Sequence, residues 1–132
     1  MLKSKSDLTT VGGKIKYYRL LKGLLQKELS DISGIDRTTI LRYENNQVIH
    51  SLDICNKIAE ALDINPTLIY DEYLEFIASD FSSEIKVARK SRKLTQDEFG
   101  QTLCVHRKTV VRWENRTDYP TRENYLLIKE YL

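Results

Sequence analysis

The sequence predicts an all-α protein made of two tandem four-helix units with a connector helix between them. Three observations carry this. Sliding the 132-residue chain past itself by 70 residues aligns Lys14–Asn45 with Glu84–Asn115 without a gap. Eleven of those 32 positions are identical, among them Ile15/Ile85, Arg19/Arg89, Gln26/Gln96, Glu28/Glu98, Arg42/Arg112 and Glu44/Glu114. Others are near-matches, such as Leu29/Phe99, Ile35/Val105 and Tyr43/Trp113. An ungapped register of this length indicates internal duplication. In both copies apolar residues recur at helical spacing, and residues suited to capping stand at the expected helix starts.

Residues 1–65 form the first unit, 66–81 the connector and 82–132 the second unit. Residues 1–11 are polar and read either as a frayed end or as a basic arm that touches a polyanion backbone through Lys3 and Lys5. Gly12–Lys22 is the first helix, with Ile15 and Tyr18 inward and Lys14, Lys16 and Lys22 outward. Gln26–Ser33 is the second; Gly34 then suits the left-handed turn that ends a helix. Asp36 caps the third, Arg37–Asn45, by accepting from its free amides. Ser51 caps a fourth through Leu62, with Leu52, Cys55, Ile58, Ala59 and Leu62 at helical spacing. Asn65-Pro66 opens a fifth helix running to about Ser79, cap then proline at the first helical position. This fifth helix is apolar on more than one side and carries Asp71, Glu72, Glu75 and Asp80. It reads either as a spine for both units or as a homodimer interface.

Ser82 restarts the cycle by capping Glu84–Arg92. Thr95 and Glu98 form a capping box ahead of Gln96–Leu103, each satisfying the other's orphan backbone donor. Helices follow at Arg107–Asn115 and Thr121–Tyr131, and Leu132 is the equivalent of Leu62.

A unit of about 60 residues buries only about 60% of its unfolded surface, so each copy needs further contacts. An apolar content of 41% suffices for packed cores. No run approaches the roughly 18 apolar residues that span a bilayer, and MLKSKSDLTT lacks an apolar signal core, so a cytoplasmic location is expected. Cys55 and Cys104 occupy non-equivalent positions and read as free thiols. Their spacing from His50 and His106 matches no structural zinc pattern, and no metal or cofactor is expected. No phosphate-cradling glycine loop, zinc-protease signature or nucleophile elbow occurs, and the two isolated histidines offer no nucleophile–base pair. An enzyme is therefore not expected.

Net charge is +2, unevenly spread: residues 1–81 carry 10 basic and 12 acidic side chains, residues 82–132 carry 11 and 7. Phosphate neutralisation supplies most non-specific DNA affinity, so the second copy is the expected electrostatic anchor. Within Leu94–Asn115, Arg107, Lys108 and Arg112 fall in one broad sector of the second helix. A small helix pair with a cationic outer face matches a helix-turn-helix, whose second helix enters the DNA major groove.

The ordered set of motifs resembles the phage repressor/Cro helix-turn-helix family in two tandem copies, which implies lambda-repressor-like domains. Gly23–Leu29 and Lys93–Phe99 look like the family's entry to helix two. RTTILRYEN (Arg37–Asn45) and RKTVVRWEN (Arg107–Asn115) look like its recognition helix. Asp118–Thr121 resembles its proline-containing loop. The resemblance implies phosphate binding by Gln26, Asn45, Gln96 and Asn115, and base reading by Arg37, Thr38, Arg42, Arg107, Lys108 and Arg112. Arginine's planar fork suits guanine O6 and N7. Leu41 and Val111 are either thymine-methyl contacts or partly buried helix flank. Arg19 with Glu44, and Arg89 with Glu114, match a structural ion pair of the family.

The copies also depart from the pattern. Leu25 lacks the capping hydroxyl of Thr95, which costs roughly 1 kcal/mol. His50 replaces the proline seen as Pro120. Cys104 sits where Gly34 supplies a left-handed turn, and His106 takes the place of the Asp36 cap. Neither copy has the glycine that often follows the Glu-Asn pair; Asn46 and Arg116 stand there.

The expected function is a sequence-specific double-stranded DNA-binding transcriptional regulator, of repressor type, reading an asymmetric two-part site. The alternative is an antitoxin or protein-interaction adaptor that uses the connector helix.

Overall fold

Every α-helix but the second begins where a side chain accepts from one of its first free amides. In the computed structural model, which describes residues 8–132, Thr10 accepts from Gly13 N at 2.9 Å and starts α1, Val11–Leu21. The paired glycines of α1 are poor helix formers, yet Gly12 has a reason to be there. A Cβ on it would lie 2.2 Å from the Tyr43 carbonyl oxygen, so only glycine lets α1 approach the third helix this closely. The Gly12 amide donates to Asn46 Oδ1 at 3.0 Å, tying the start of α1 to the end of that helix.

The remaining helices of the first unit are α2 Gln26–Ser33, α3 Arg37–Glu44 and α4 Leu52–Leu62. Leu25 gives α2 no side-chain cap. Half of a capping box survives, because Glu28 accepts from Leu25 N at 2.8 Å. Gly34 takes the left-handed conformation (φ 75°) that closes α2. Ser51 accepts from Ile54 N and starts α4. The core of this unit gathers Val11, Ile15, Leu29, Ile35, Ile40, Tyr43, Cys55, Ile58, Ala59 and Leu62, all buried. Tyr18, expected inward, is only half-buried.

The fifth helix is not continuous. Pro66–Leu68 is a single 3-10 turn capped by Asn65, and an α-helix, α5, forms only at Glu72–Ala78. The break has a local cause: Asp71 Oδ1 accepts from Leu74 N at 2.9 Å, a new cap that starts a new helix. Lys14, expected outward, is half-buried, and its Nζ donates to the Tyr70 carbonyl at 2.9 Å.

The chain divides into two compact units, the first ending at Glu75 and the second running Phe76–Leu132. The division falls within 66–81. The second unit contains α6 Phe81–Ser91, α7 Gln96–Leu103, α8 Arg107–Glu114 and α9 Arg122–Ile128, which ends in a 3-10 turn, Lys129–Tyr131. The start of α6 corrects the sequence reading. Asp80, not Ser82, is the cap, accepting from Ser83 N, so the helix begins at Phe81 and Ser82 is buried inside it. That placement puts the Phe81 ring against Phe76, centroids 6.1 Å apart. Phe99, Leu103, Val110, Trp113, Tyr125 and Ile128 complete this core. Among the described residues no strand occurs, and no helix is long and apolar enough to cross a membrane.

Candidate nucleic-acid interface

In each unit one buried carboxylate joins three helices. Arg19 on α1 donates to Glu44 on α3 from Nε at 2.6 Å and from Nη2 at 2.9 Å. Arg89 on α6 repeats this with Glu114 on α8, at 2.7 and 3.0 Å. The third arginine nitrogen, Nη1, caps the turn before the next helix by donating to the Leu24 carbonyl, or to Leu94 in the second unit. The hydrogen bonds and charge of Glu114 push the Arg89 guanidinium pKa up from its already high value, so the arginine keeps its charge at any physiological pH.

The same carboxylate also holds the glutamine expected to bind phosphate. Gln26 Nε2 donates to Glu44 Oε1 at 3.1 Å, and Gln96 Nε2 to Glu114 Oε1 at 3.2 Å. Both glutamines are half-buried at the first residue of their helices. This engages one of the two amide N–H groups and fixes which way the amide faces. Sequence reasoning missed this third partner, although the signal was present: Gln and Glu stand 18 residues apart in both copies.

The α2–α3 and α7–α8 turns place the third helix of each unit by different means. In the first, Asp36 Oδ2 accepts from Thr38 N at 3.0 Å. In the second, His106 Nδ1 accepts from Lys108 N at 3.1 Å, so an imidazole does the work of a carboxylate. Cys104 adopts φ 58° where Gly34 adopts 75°. Gly100 packs under this turn; a Cβ there would lie 2.8 Å from the Val105 carbonyl oxygen. Glu98 and Thr95 close a full capping box on α7. Its hydrogen bonds from Thr95 pull the Glu98 carboxyl below its ordinary pKa.

On these frames Arg37, Thr38 and Arg42 are all exposed on α3, and Arg107, Lys108 and Arg112 on α8. Arg42 and Arg112 lie five residues along from Arg37 and Arg107, about 140° round the axis and so within one broad sector of each helix. Leu41 is exposed and Val111 half-buried. Asn45 and Asn115 are exposed at the ends of α3 and α8. The next residues, Asn46 and Arg116, both turn left-handed, at φ 57° and 60°. Arg116 is held there by Asp80, at 3.2 Å, and by the Phe81 ring, 5.0 Å beneath its guanidinium. His50, in the loop that carries Pro120 in the second unit, is buried with its Nε2 against the Tyr43 carbonyl and its ring edge-on to Tyr43. Lys3 and Lys5 lie outside the described residues.

A helix-turn-helix family profile matches residues 15–69 and, separately, 85–132, once for each unit. The chain belongs to this helix-turn-helix family. Both copies of the helix-turn-helix are thus matched independently, in agreement with the resemblance carried by the duplicated motifs. A similar protein is an uncharacterized HTH-type transcriptional regulator of Methanocaldococcus jannaschii, 36% identical over 61 residues. That alignment covers 45% of this chain and 92% of the relative. No solved structure matches the chain. Among the described residues no cluster of three His, Cys, Asp or Glu side chains is arranged to hold a metal ion.

Proposed function

We propose that this helix-turn-helix protein regulates transcription by reading double-stranded DNA with two recognition helices, α3 and α8, and that it acts as a repressor. The observation that carries the reading is the repeated frame: an Arg–Glu–Gln cluster fixes each third helix while its arginines stay free to reach a groove. In this reading Arg37, Thr38 and Arg42, and Arg107, Lys108 and Arg112, face base edges. Gln26, Asn45, Gln96 and Asn115 hold phosphates. The glutamine amide, turned by Glu44 or Glu114, sits where the first amides of α2 or α7 also favour an anion.

The two copies offer different chemistry at equivalent positions, Thr38 against Lys108 and Asp36 against His106. The site they read is therefore asymmetric, with a carboxylate beside the first recognition helix and an imidazole beside the second. Binding through one copy only is separated from this reading by mutating each copy in turn.

Duplex binding across a salt series tests the reading. Each phosphate neutralised contributes about −0.9 to the slope of log affinity against log salt. The expected result is a steep negative slope, made shallower by about one when Lys108 is replaced by alanine if that lysine neutralises a phosphate, and unchanged if it reads a base. Binding that is absent at low salt would remove the proposal.

A further inference from the structure

The residues that cap the two recognition helices satisfy the same backbone amide with different chemistry. Asp36 and His106 are equivalent by the 70-residue register. They leave the chain from similar backbone, φ −55° and ψ 139° at Asp36 against φ −72° and ψ 149° at His106. Each accepts from the amide two residues on: Asp36 Oδ2 from Thr38 N at 3.0 Å, and His106 Nδ1 from Lys108 N at 3.1 Å. Both side chains are exposed, and each directly precedes an exposed arginine, Arg37 or Arg107, that opens its helix.

A cap of this kind uses one polar atom of the side chain and leaves the other. Asp36, with Oδ2 on the Thr38 amide, keeps Oδ1, which can only accept. His106 accepts the Lys108 amide at Nδ1, and a ring nitrogen that accepts from a backbone N–H bears no proton of its own. The proton is therefore on Nε2, which can only donate. In a helix-turn-helix the N-terminal residues of the recognition helix are the ones that meet base edges. There an acceptor matches the N4 amino group of cytosine, and a donor matches O6 or N7 of guanine. Phosphate is a poor partner for Asp36, because the two charges repel.

We propose that Asp36 and His106 determine specificity with opposite polarity: Asp36 Oδ1 accepts from a cytosine amino group in the part of the site read by α3, and His106 Nε2–H donates to a guanine in the part read by α8. The inference rests on the DNA reading and adds one base contact to each head. Each cap does two things at once. It holds the first turn of the helix, and by using up one atom it decides whether the head presents an acceptor or a donor there. Arg37 and Arg107, one residue on, are donors in both heads, so the difference between the heads begins at the cap.

Substitutions that keep the cap but change the remaining atom test this in the full chain. Asparagine caps about as well as aspartate, so Asp36→Asn holds the Thr38 amide through its carbonyl and turns the other group from acceptor to donor. His106→Asn keeps a donor, whereas His106→Asp installs the acceptor that the first unit uses. Urea midpoints confirm that the caps survive. Selection from a random duplex library then gives the preferred site, and titrations of all four base pairs at each position give the preference. Asp36→Asn is expected to move one preference from cytosine to guanine or thymine, by about fivefold or more, and to leave the part read by α8 unchanged. His106→Asp is expected to move one guanine preference in the other part towards cytosine, while His106→Asn retains it. Equal strengthening of every duplex by Asp36→Asn, the mark of relieved phosphate repulsion, overturns the Asp36 contact. Equal weakening of every duplex by His106→Asp, the mark of a phosphate contact, overturns the His106 contact. An unmodified chain that enriches no site overturns the DNA reading and this inference with it; an enriched site whose preferences none of the variants moves overturns this inference alone.

Discussion

Gln96 and Glu114, 18 residues apart, meet at 3.2 Å through Nε2 and Oε1, on the carboxylate that also takes two hydrogen bonds from Arg89. Gln26 and Glu44 do the same at 3.1 Å. One acidic residue per unit therefore sets both the angle of the third helix and the facing of the side chain that opens the second.

Removing that residue should be costly. Glu44 is 1% exposed at its side chain and Arg19 7%. Glu44→Ala strands a buried guanidinium and the Gln26 amide, an expected loss of about 3–5 kcal/mol. Replacing both Arg19 and Glu44 by leucine should cost less than either single change, because no charge is left alone. Thermal or urea unfolding of the three variants checks this, and a double mutant worse than Glu44→Ala contradicts it.

Backbone geometry gives a second expectation. Cys104 holds φ 58° with a Cβ, so Cys104→Gly relieves strain that Gly34 avoids in the first unit. The gain is reduced by the entropy glycine loses on folding, leaving a rise of at most about 1 kcal/mol. Leu25→Thr, which completes the half-formed box with Glu28, should stabilise by roughly 0.5–1 kcal/mol. In the other direction, Gly12→Ala drives a methyl into the Tyr43 carbonyl at 2.2 Å and should unseat α1 from α3. Urea midpoints of the three single variants decide each sign.

Acid should weaken the second unit through its caps. Hydrogen bonds from Ser83 hold the Asp80 carboxyl below its ordinary pKa, and those from Thr95 hold Glu98 below its own. A carboxyl depressed in the folded state contributes stability above its unfolded pKa and loses it as pH falls through the folded value. The expected decline lies below about pH 4. Carboxyl NMR titration of the two groups, with unfolding followed over the same range, measures it. Midpoints at or above the ordinary values would contradict the capping geometry.

At the proposed interface, Arg112→Ala and Arg42→Ala should each lower affinity for a matched duplex by about 1–3 kcal/mol and relax preference at one or two base pairs. Asn115→Ala should weaken matched and mismatched duplexes alike, since a phosphate contact carries no sequence information. Titrations of matched and singly mismatched duplexes separate these outcomes. Equal loss on both duplex types for Arg112→Ala would move it to the phosphate set.

Much of this was legible in the sequence because it is local or repeated. Helix starts at Asp36, Ser51, Thr95 and Thr121 follow from one side chain and the next two or three amides, and the structure has each of them. The failures lie where two caps compete. Asp80 and Ser82 are both able to start α6, and the charged acceptor, with Phe81 free to pack on Phe76, prevails. Asp71 breaks an apolar run whose periodicity alone reads as one long helix. The Gln–Glu contacts left only an indirect signal, the same 18-residue spacing in both copies, because one spacing does not say which way a side chain faces across two helices.

The central claim, two working reading heads on one chain, is tested most directly by selecting a random duplex library with the purified protein. The selection is repeated with Arg37→Ala/Arg42→Ala and with Arg107→Ala/Arg112→Ala. The account predicts an asymmetric two-part site, with each double variant relaxing a different part. Enrichment of a single part, sensitive to only one pair of arginines, would contradict it.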